Sequence, residues 1–154
     1  MLELIVAIDE NYGIGKEGGL PWFCNADLKN FKTITEGATL VVGRKTCETL
    51  PFLKNRNIIC LSRNTKSCDC NNKVNIMKVF VPSENERYII AGGAEIYKYF
   101  LNDSGFKFKI HLSIVNGVYD CDTYFSKEWL RNYVVVTETK HSDYTYMTLE
   151  HGGN

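Results

Sequence analysis

Residues 13–32 run Gly-Ile-Gly-Lys-Glu-Gly-Gly-Leu-Pro-Trp-Phe-Cys-Asn-Ala-Asp-Leu-Lys-Asn-Phe-Lys, and no other stretch restricts this chain so closely. Gly13, Gly15, Gly18 and Gly19 fall within seven residues, so the backbone there can take positive φ and move, which predicts a mobile loop. Asn25 then offers an N-cap; Ala26, Asp27, Leu28, Phe31 and Ile34 follow at helical spacing, and Gly37 supplies a stop. A short amphipathic helix is expected. Asp27 is out of keeping with it, because it shares a face with Leu28 and Phe31, which favour burial. A first-turn acid complements the helix dipole. A lone carboxylate in an apolar pocket can instead hold a cationic or hydrogen-bond-donating ligand. Spacing by itself favours the dipole.

The 154 residues suffice for one domain with a sizeable core, expected to span 1–154. Eighteen basic and eighteen acidic residues cancel, so nothing in the balance suggests a nucleic-acid or membrane partner. The opening Met-Leu-Glu-Leu-Ile-Val-Ala-Ile-Asp is apolar but short, lacks a basic region and carries an acid at position 3, which predicts neither signal peptide nor membrane span and a cytoplasmic protein. Cys24, Cys47, Cys60 and Cys121 read as small packed hydrophobes. Cys68-x-Cys70 lacks a second Cys or His pair at ligand spacing, so it reads as a polar loop rather than a metal site.

Leu2–Ile8 is a nearly continuous apolar run, the pattern of a central strand covered on both faces. Residues 39–42, 57–61 and 88–91 read likewise. Each is followed by polar or glycine-rich residues suited to an anion: Gly43-Arg44-Lys45-Thr46 at a helix start, Ser62-Arg63, and Gly92-Gly93 before the helical segment 94–101. An ordinary solvated strand end reads the same way. Residues 64–73 read as a surface loop, 74–81 as room for a short strand, and 106–115, 133–139 and 144–149 as β-rich, the last two a hairpin. Gly92-Gly93 is not the Rossmann Gly-x-Gly-x-x-Gly fingerprint. The expected architecture is a single α/β domain, a mostly parallel central β-sheet with antiparallel C-terminal edge strands and flanking helices. Ligands of such sheets bind beyond the carboxyl ends of the strands, where Asp27 and the three anion-suited segments would meet.

Taken in order, Gly-Ile-Gly-Lys with Leu-Pro-Trp, Asp27-Leu-Lys-x-Phe, Val-Gly-Arg-Lys-Thr, Leu-Pro-x-Leu-x-x-Arg56, Leu-Ser-Arg, Gly-Gly-Ala-Glu-Ile-Tyr97 and Asp122-Thr-x-Phe resemble the dihydrofolate reductases over essentially the whole chain. The resemblance implies NADPH-dependent reduction of 7,8-dihydrofolate to 5,6,7,8-tetrahydrofolate, by hydride transfer to pterin C6 and protonation of N5, and a monomer. It implies that Asp27 holds the pterin 2-amino group and ring nitrogen, that Ser113 supports this acid, and that Leu20 and Trp22 belong to the loop closing over the ring. Val6, Ala7, Leu28, Phe31, Leu50 and Leu53 would wall the folate, with Ala91 and Tyr97 beside it, and Arg56 would clamp its glutamate. Arg44, Lys45 and Thr46, with Gly43, would hold NADPH phosphates, and Ser62 and Arg63, after Leu61, the 2′-phosphate. Gly92, Gly93, Ala94, Glu95, Ile96 and Tyr97 would take the pyrophosphate and nicotinamide side, and Ala7, Ile14, Gly15, Leu20 and Ala91 would also line the cofactor.

The chain departs from the family at Ala91, where a larger aliphatic is usual, at Cys47, where Trp is common, and at Ser113, where Thr is usual. Ser113 keeps the hydroxyl; Ala91 and Cys47 bear on ring fit. None of His111, His141 and His151 lies in a site motif, which leaves Asp27 as the candidate acid. Two other readings are a riboflavin-pathway reductase, which would lack the pairing of Asp27 with Arg56, and an idle folate-binding protein. The end at Glu150-His-Gly-Gly-Asn154 reads as a standalone enzyme rather than part of a thymidylate synthase fusion.

Overall fold

A computed structural model describes residues 2–63 and 72–153. The elements run β1 (Leu2–Ile8), β2 (Gly13–Gly15), α1 (Asn25–Thr35), β3 (Thr39–Gly43), α2 (Arg44–Thr49), β4 (Asn57–Leu61), β5 (Val74–Met77), β6 (Tyr88–Ile90), α3 (Ala94–Lys98), β7 (Lys109–Val115), β8 (Thr123–Tyr124), β9 (Tyr133–Lys140) and β10 (Tyr144–His151). Eight strands form one sheet in the order β5-β4-β3-β6-β1-β7-β10-β9. All neighbours pair in parallel except β10, which is antiparallel to both β7 and β9. The mostly parallel sheet with an antiparallel C-terminal edge is as the sequence predicts.

The central strands are apolar on both sides because both faces are covered. Leu4, Val6 and Ile8 pack on one face with Val41, Ile90, Tyr97, Phe100 and Phe125. Ile5 packs on the other with Leu40, Val42, Cys47, Leu53 and Ile58. Cys24, Cys47, Cys60 and Cys121 are buried, as expected; Cys68 and Cys70 lie outside the described residues. Among the described residues no helix is long and apolar enough to cross a membrane.

Three local expectations change. Asn25 is the first helical residue of α1 rather than its cap; Cys24 takes the cap position with extended backbone and no side-chain bond to the helix. Part of the expected mobile loop is the short strand β2, paired with β8. The helical segment after Gly93 is five regular residues that widen into a π-helical turn at Tyr99–Asp103.

One buried ion pair sits within the sheet. Glu3, 3% exposed, accepts bonds from Arg87 Nε at 2.5 Å and Nη2 at 2.9 Å, and lies 2.7 Å from His111 Nε2. Burial alone would raise the Glu3 pKa, but Arg87 and His111 outweigh it and hold the carboxyl down to about 2. A depressed folded-state pKa stabilises the fold above the ordinary value of 4.5, and that contribution is lost as pH falls toward 2. The shift corresponds to about 3 kcal/mol. Urea unfolding between pH 5 and 2 is expected to show a fall of that order, and Arg87→Ala, which strands a buried carboxylate, about the same loss at pH 7.

Candidate active site

Because β1, β3, β4, β6 and β7 run in parallel, the segments after them gather at one edge of the sheet. Asp27 sits in the first turn of α1. Its neighbours Ala26 and Leu28 are exposed, yet it is itself only 8% exposed, so the helix turns its acid inward. Burial raises the Asp27 pKa, and a hydrogen bond from the buried Ser113 opposes that without cancelling it. The carboxyl therefore keeps its proton to higher pH than an ordinary aspartate. Ser113 lies on β7 between Ala7 of β1 and Tyr146 of β10. Tyr144, also buried, has its phenol pushed up by burial and then by the charges of Asp27 and Cys24.

Trp22 is 8% exposed, and its indole Nε1 is buried without a hydrogen-bond partner. An orphaned buried donor is costly, so a water or a ligand acceptor is expected at this N–H. Trp22 packs with Cys24, Val115, Cys121 and Tyr144, and Ala7 lies against that cluster.

The apolar wall comprises Phe31, Leu50 and Ala91, half-buried against Ile5 and Leu53; Leu28 is 38% exposed on α1. Val6 does not join it. Successive residues of a strand face opposite sides, so its side chain packs with Tyr97 and Phe125 in the other layer. Ile5, not singled out from the sequence, stands on the Asp27 side instead. Cys47 is fully buried, in the layer that holds Ile5, Leu40 and Leu53.

Arg56 is fastened at three points: Nε donates to Thr35 Oγ1 at 3.1 Å, and the two terminal nitrogens donate to the carbonyls of Lys54 and Lys32. Thr35, fully buried, is itself fixed through a 2.8 Å bond to Phe31 O. A guanidinium has five N–H donors in a rigid fork. One on each terminal nitrogen is left for a carboxylate.

The glycine pair forms the opposite corner. Gly92 has φ +118°, the Gly92–Gly93 peptide is cis, and Gly43 N–H donates to Gly92 O at 2.9 Å. A Cβ on Gly92 would stand 3.3 Å from Tyr97 Oη, and one on Gly93 3.3 Å from Thr46 Oγ1. Tyr97, whose burial pushes its phenol up, donates to Ile5 O at 2.8 Å. Ala94, Glu95 and Ile96 open α3, and Ile96 packs so closely on Gly43 that a Cβ there would lie 3.0 Å from it. Arg44 is paired with Glu48 at 3.4 Å, and Lys45 and Arg63 are exposed. Ser62 follows Leu61 at the strand end, its N–H on Met77 O at 3.0 Å.

The glycine loop is tied to residues 119–124. Glu17 N–H donates to Asp122 Oδ2 at 2.9 Å, Asp122 N–H to Gly15 O at 2.9 Å, and Lys16 meets Asp120 at 3.3 Å. Beneath it the buried Asp9 accepts from the N–H groups of Asn11, Gly13 and Tyr119. Ile14 and Gly15 are thereby fixed, while Leu20 stays 50% exposed at the loop tip. Asp9 and Tyr144 were not singled out from the sequence. An acid straight after a strand and four residues before a glycine is a readable signal for the first; nothing local marks the second.

The dihydrofolate reductase family model matches residues 1–151. A dihydrofolate reductase from Schistosoma mansoni is 34% identical over 149 residues, covering 83% of this chain and 80% of that one. The type 8 dihydrofolate reductase of Escherichia coli is 33% identical over 165 aligned positions, covering 96% and 95%. A solved dihydrofolate reductase from Enterococcus faecalis, complexed with NADP(H) and RAB-propyl, superposes with a TM-score of 0.79 at 26% identity, covering 99% of this chain and 97% of that one. With the strand order, the buried acid and the glycine corner already in place, these matches leave one conclusion: the chain belongs to the dihydrofolate reductase family.

Proposed function

We propose that this chain reduces 7,8-dihydrofolate to 5,6,7,8-tetrahydrofolate with NADPH at the carboxyl edge of its sheet, through one domain spanning 1–154. The observation that carries the site assignment is Asp27: a buried carboxyl with a raised pKa, bonded by Ser113 and set among apolar side chains. A buried carboxyl that keeps its proton to higher pH than an ordinary aspartate is suited to proton chemistry. Asp27 holds the pterin 2-amino group and ring nitrogen, polarises the ring, and favours protonation of N5 through water. Ile5, Ala7, Leu28, Phe31, Leu50 and Leu53 exclude bulk solvent around the ring, and Trp22 offers its free N–H to an ordered water or to the pterin. Leu20, at the tip of the tethered loop, closes the mouth.

The glycine corner fits a dinucleotide, because the space a Cβ would take at Gly93, 3.3 Å from Thr46 Oγ1, is left open beside unbonded N–H groups at the helix start. When bound, NADPH supplies the hydride that pterin C6 receives. Arg44, Lys45 and Thr46 hold its phosphates, Ser62 and Arg63 the 2′-phosphate, and residues 92–97 the pyrophosphate and nicotinamide side. Zero net charge supports a small-molecule enzyme with no nucleic-acid or membrane partner, and the reading carries a monomer in the cytoplasm.

Loss of absorbance at the NADPH band tests the activity. Rapid dihydrofolate-dependent oxidation, with NADPH preferred over NADH, is the expected result; folate binding without turnover would make the chain an idle binder. In the same assay Arg56→Ala is expected to raise KM for dihydrofolate about 30-fold with kcat little changed, since a buried-side carboxylate clamp contributes about 2 kcal/mol of uniform binding. A pterin substrate lacking the glutamate should be indifferent to the change.

A further inference from the structure

Groups this chemistry leaves unused form a chain, Arg87–Glu3–His111–Tyr146, buried at its centre and half-buried at its ends. Glu3 and His111 are 3% and 6% exposed. The ionised Glu3 faces His111 Nε2 at 2.7 Å, and His111 Nδ1 meets Tyr146 Oη at 2.7 Å. Because Glu3 can only accept, Nε2 carries a hydrogen, and in a neutral ring Nδ1 accepts the Tyr146 hydroxyl. An apolar core would hold β1, β7 and β10 together as well as this, and often better.

The chain leads toward the acid. Glu3, Ile5 and Ala7 share one face of β1, and His111 and Ser113 the same face of β7. His111 is registered between Ile5 and Thr148, and Ser113 between Ala7 and Tyr146. Tyr146 is thus the cross-strand neighbour of the residue bonded to Asp27, with its hydroxyl drawn diagonally back to His111. Its ring packs against the cluster of Trp22, Cys24, Val115, Cys121 and Tyr144, on the side where Tyr144 feels the Asp27 charge.

We propose that Tyr146, oriented by His111 and by the Glu3–Arg87 pair behind it, is a positioning residue that keeps water from the Ser113–Asp27 hydrogen bond and so sets the pH at which Asp27 ionises. This rests on the reading of Asp27 as the catalytic acid. The titratable and charged groups facing the assembly are Glu3 from β1, Cys24 and Asp27 from α1 and its cap, Arg87 ahead of β6, Lys109 and His111 from β7, Tyr144 and Glu150 from β10, and Cys121. Releasing the tyrosine ring lets water reach the carboxylate and relieves the burial that favours its protonated form.

The test is the pH profile of single-turnover hydride transfer in Tyr146→Phe, His111→Phe and the double variant, beside Asp27→Asn, with KM and thermal unfolding measured in each. Tyr146→Phe removes one oxygen and keeps the ring, so it remains informative should His111→Phe fail to fold. The midpoint of the falling limb is expected to move by about 0.5 pH unit toward acid, slowing the step roughly threefold at pH 7, with KM for dihydrofolate unchanged. The double variant should shift no further than either single one. An unmoved midpoint with only a lowered Tm would make the chain purely structural and overturn the proposal. Should a limb with the wild-type midpoint survive in Asp27→Asn, the acid assignment falls and this proposal with it; should that midpoint vanish there, leaving only a steady climb toward acid, but stay unshifted in Tyr146→Phe, this proposal alone falls.

Discussion

Asp27→Asn is expected to slow hydride transfer to dihydrofolate at pH 7 by about 10² to 10³-fold, the range contributed by a positioned acid, while the protein folds and binds NADPH as before. Asparagine keeps the shape and a hydrogen bond to Ser113 but cannot ionise. Residual turnover should climb toward acid pH, where solvent protonates N5 directly. Stability should move the other way. Burial raises the Asp27 pKa in the fold, so the carboxylate opposes folding above that pKa and has no effect below the unfolded value of 3.8. Asp27→Asn should therefore unfold later at pH 7, by about 1 kcal/mol or some 3 °C, and no later near pH 3. Near wild-type turnover at neutral pH would remove Asp27 from the mechanism.

Gly92→Ala should damage both fold and cofactor binding. At φ +118° an L side chain is strained, and the new methyl would stand 3.3 Å from Tyr97 Oη and 3.7 Å from Thr46 Oγ1. Tyr97 cannot swing aside without giving up its bond to Ile5 O in a site where it is 6% exposed. A loss of about 3 kcal/mol in urea unfolding and a rise in NADPH Kd of at least roughly 100-fold are expected, the latter because the backbone proposed to approach the dinucleotide must shift. Gly37→Ala separates strain from crowding: Gly37 has φ +76° but nothing within 4 Å of its added Cβ. It should lose about 1 kcal/mol and leave Kd unchanged. Equal effects at the two positions would mean that the corner at Gly92 has no special bearing on the cofactor.

Strands buried on both faces were legible because their signal is compositional and local. Leu2–Ile8, Thr39–Gly43 and Asn57–Leu61 appear with the bounds expected or within a residue of them. The same evenness concealed parity. In Leu-Ile-Val-Ala-Ile every residue is apolar, so nothing in the order of letters says that Ile5 rather than Val6 faces Asp27. β2 and β8 were invisible for a related reason. Gly-Ile-Gly and Thr-Tyr are too short for periodicity, and they become strands only by pairing with each other across more than a hundred residues. His111 was passed over because its partners Glu3 and Tyr146 come from β1 and β10, far away in sequence, so a lone histidine in a β-rich run carries no mark of the company it keeps.

What the sequence by itself determined was the set of chemical groups and their order: strands followed by glycines, hydroxyls and cations, an acid on an apolar helix face, and a parallel sheet that must bring those strand ends to one edge. Only the tertiary structure decided which groups became unusual. Burial raises the Asp27 pKa against the opposing bond from Ser113 of β7, and Arg56 keeps two free donors because Lys32, Thr35 and Lys54 occupy the other three. Desolvation and hydrogen-bond geometry depend on every neighbour at once, and those neighbours are chosen by the fold rather than by the adjacent residues.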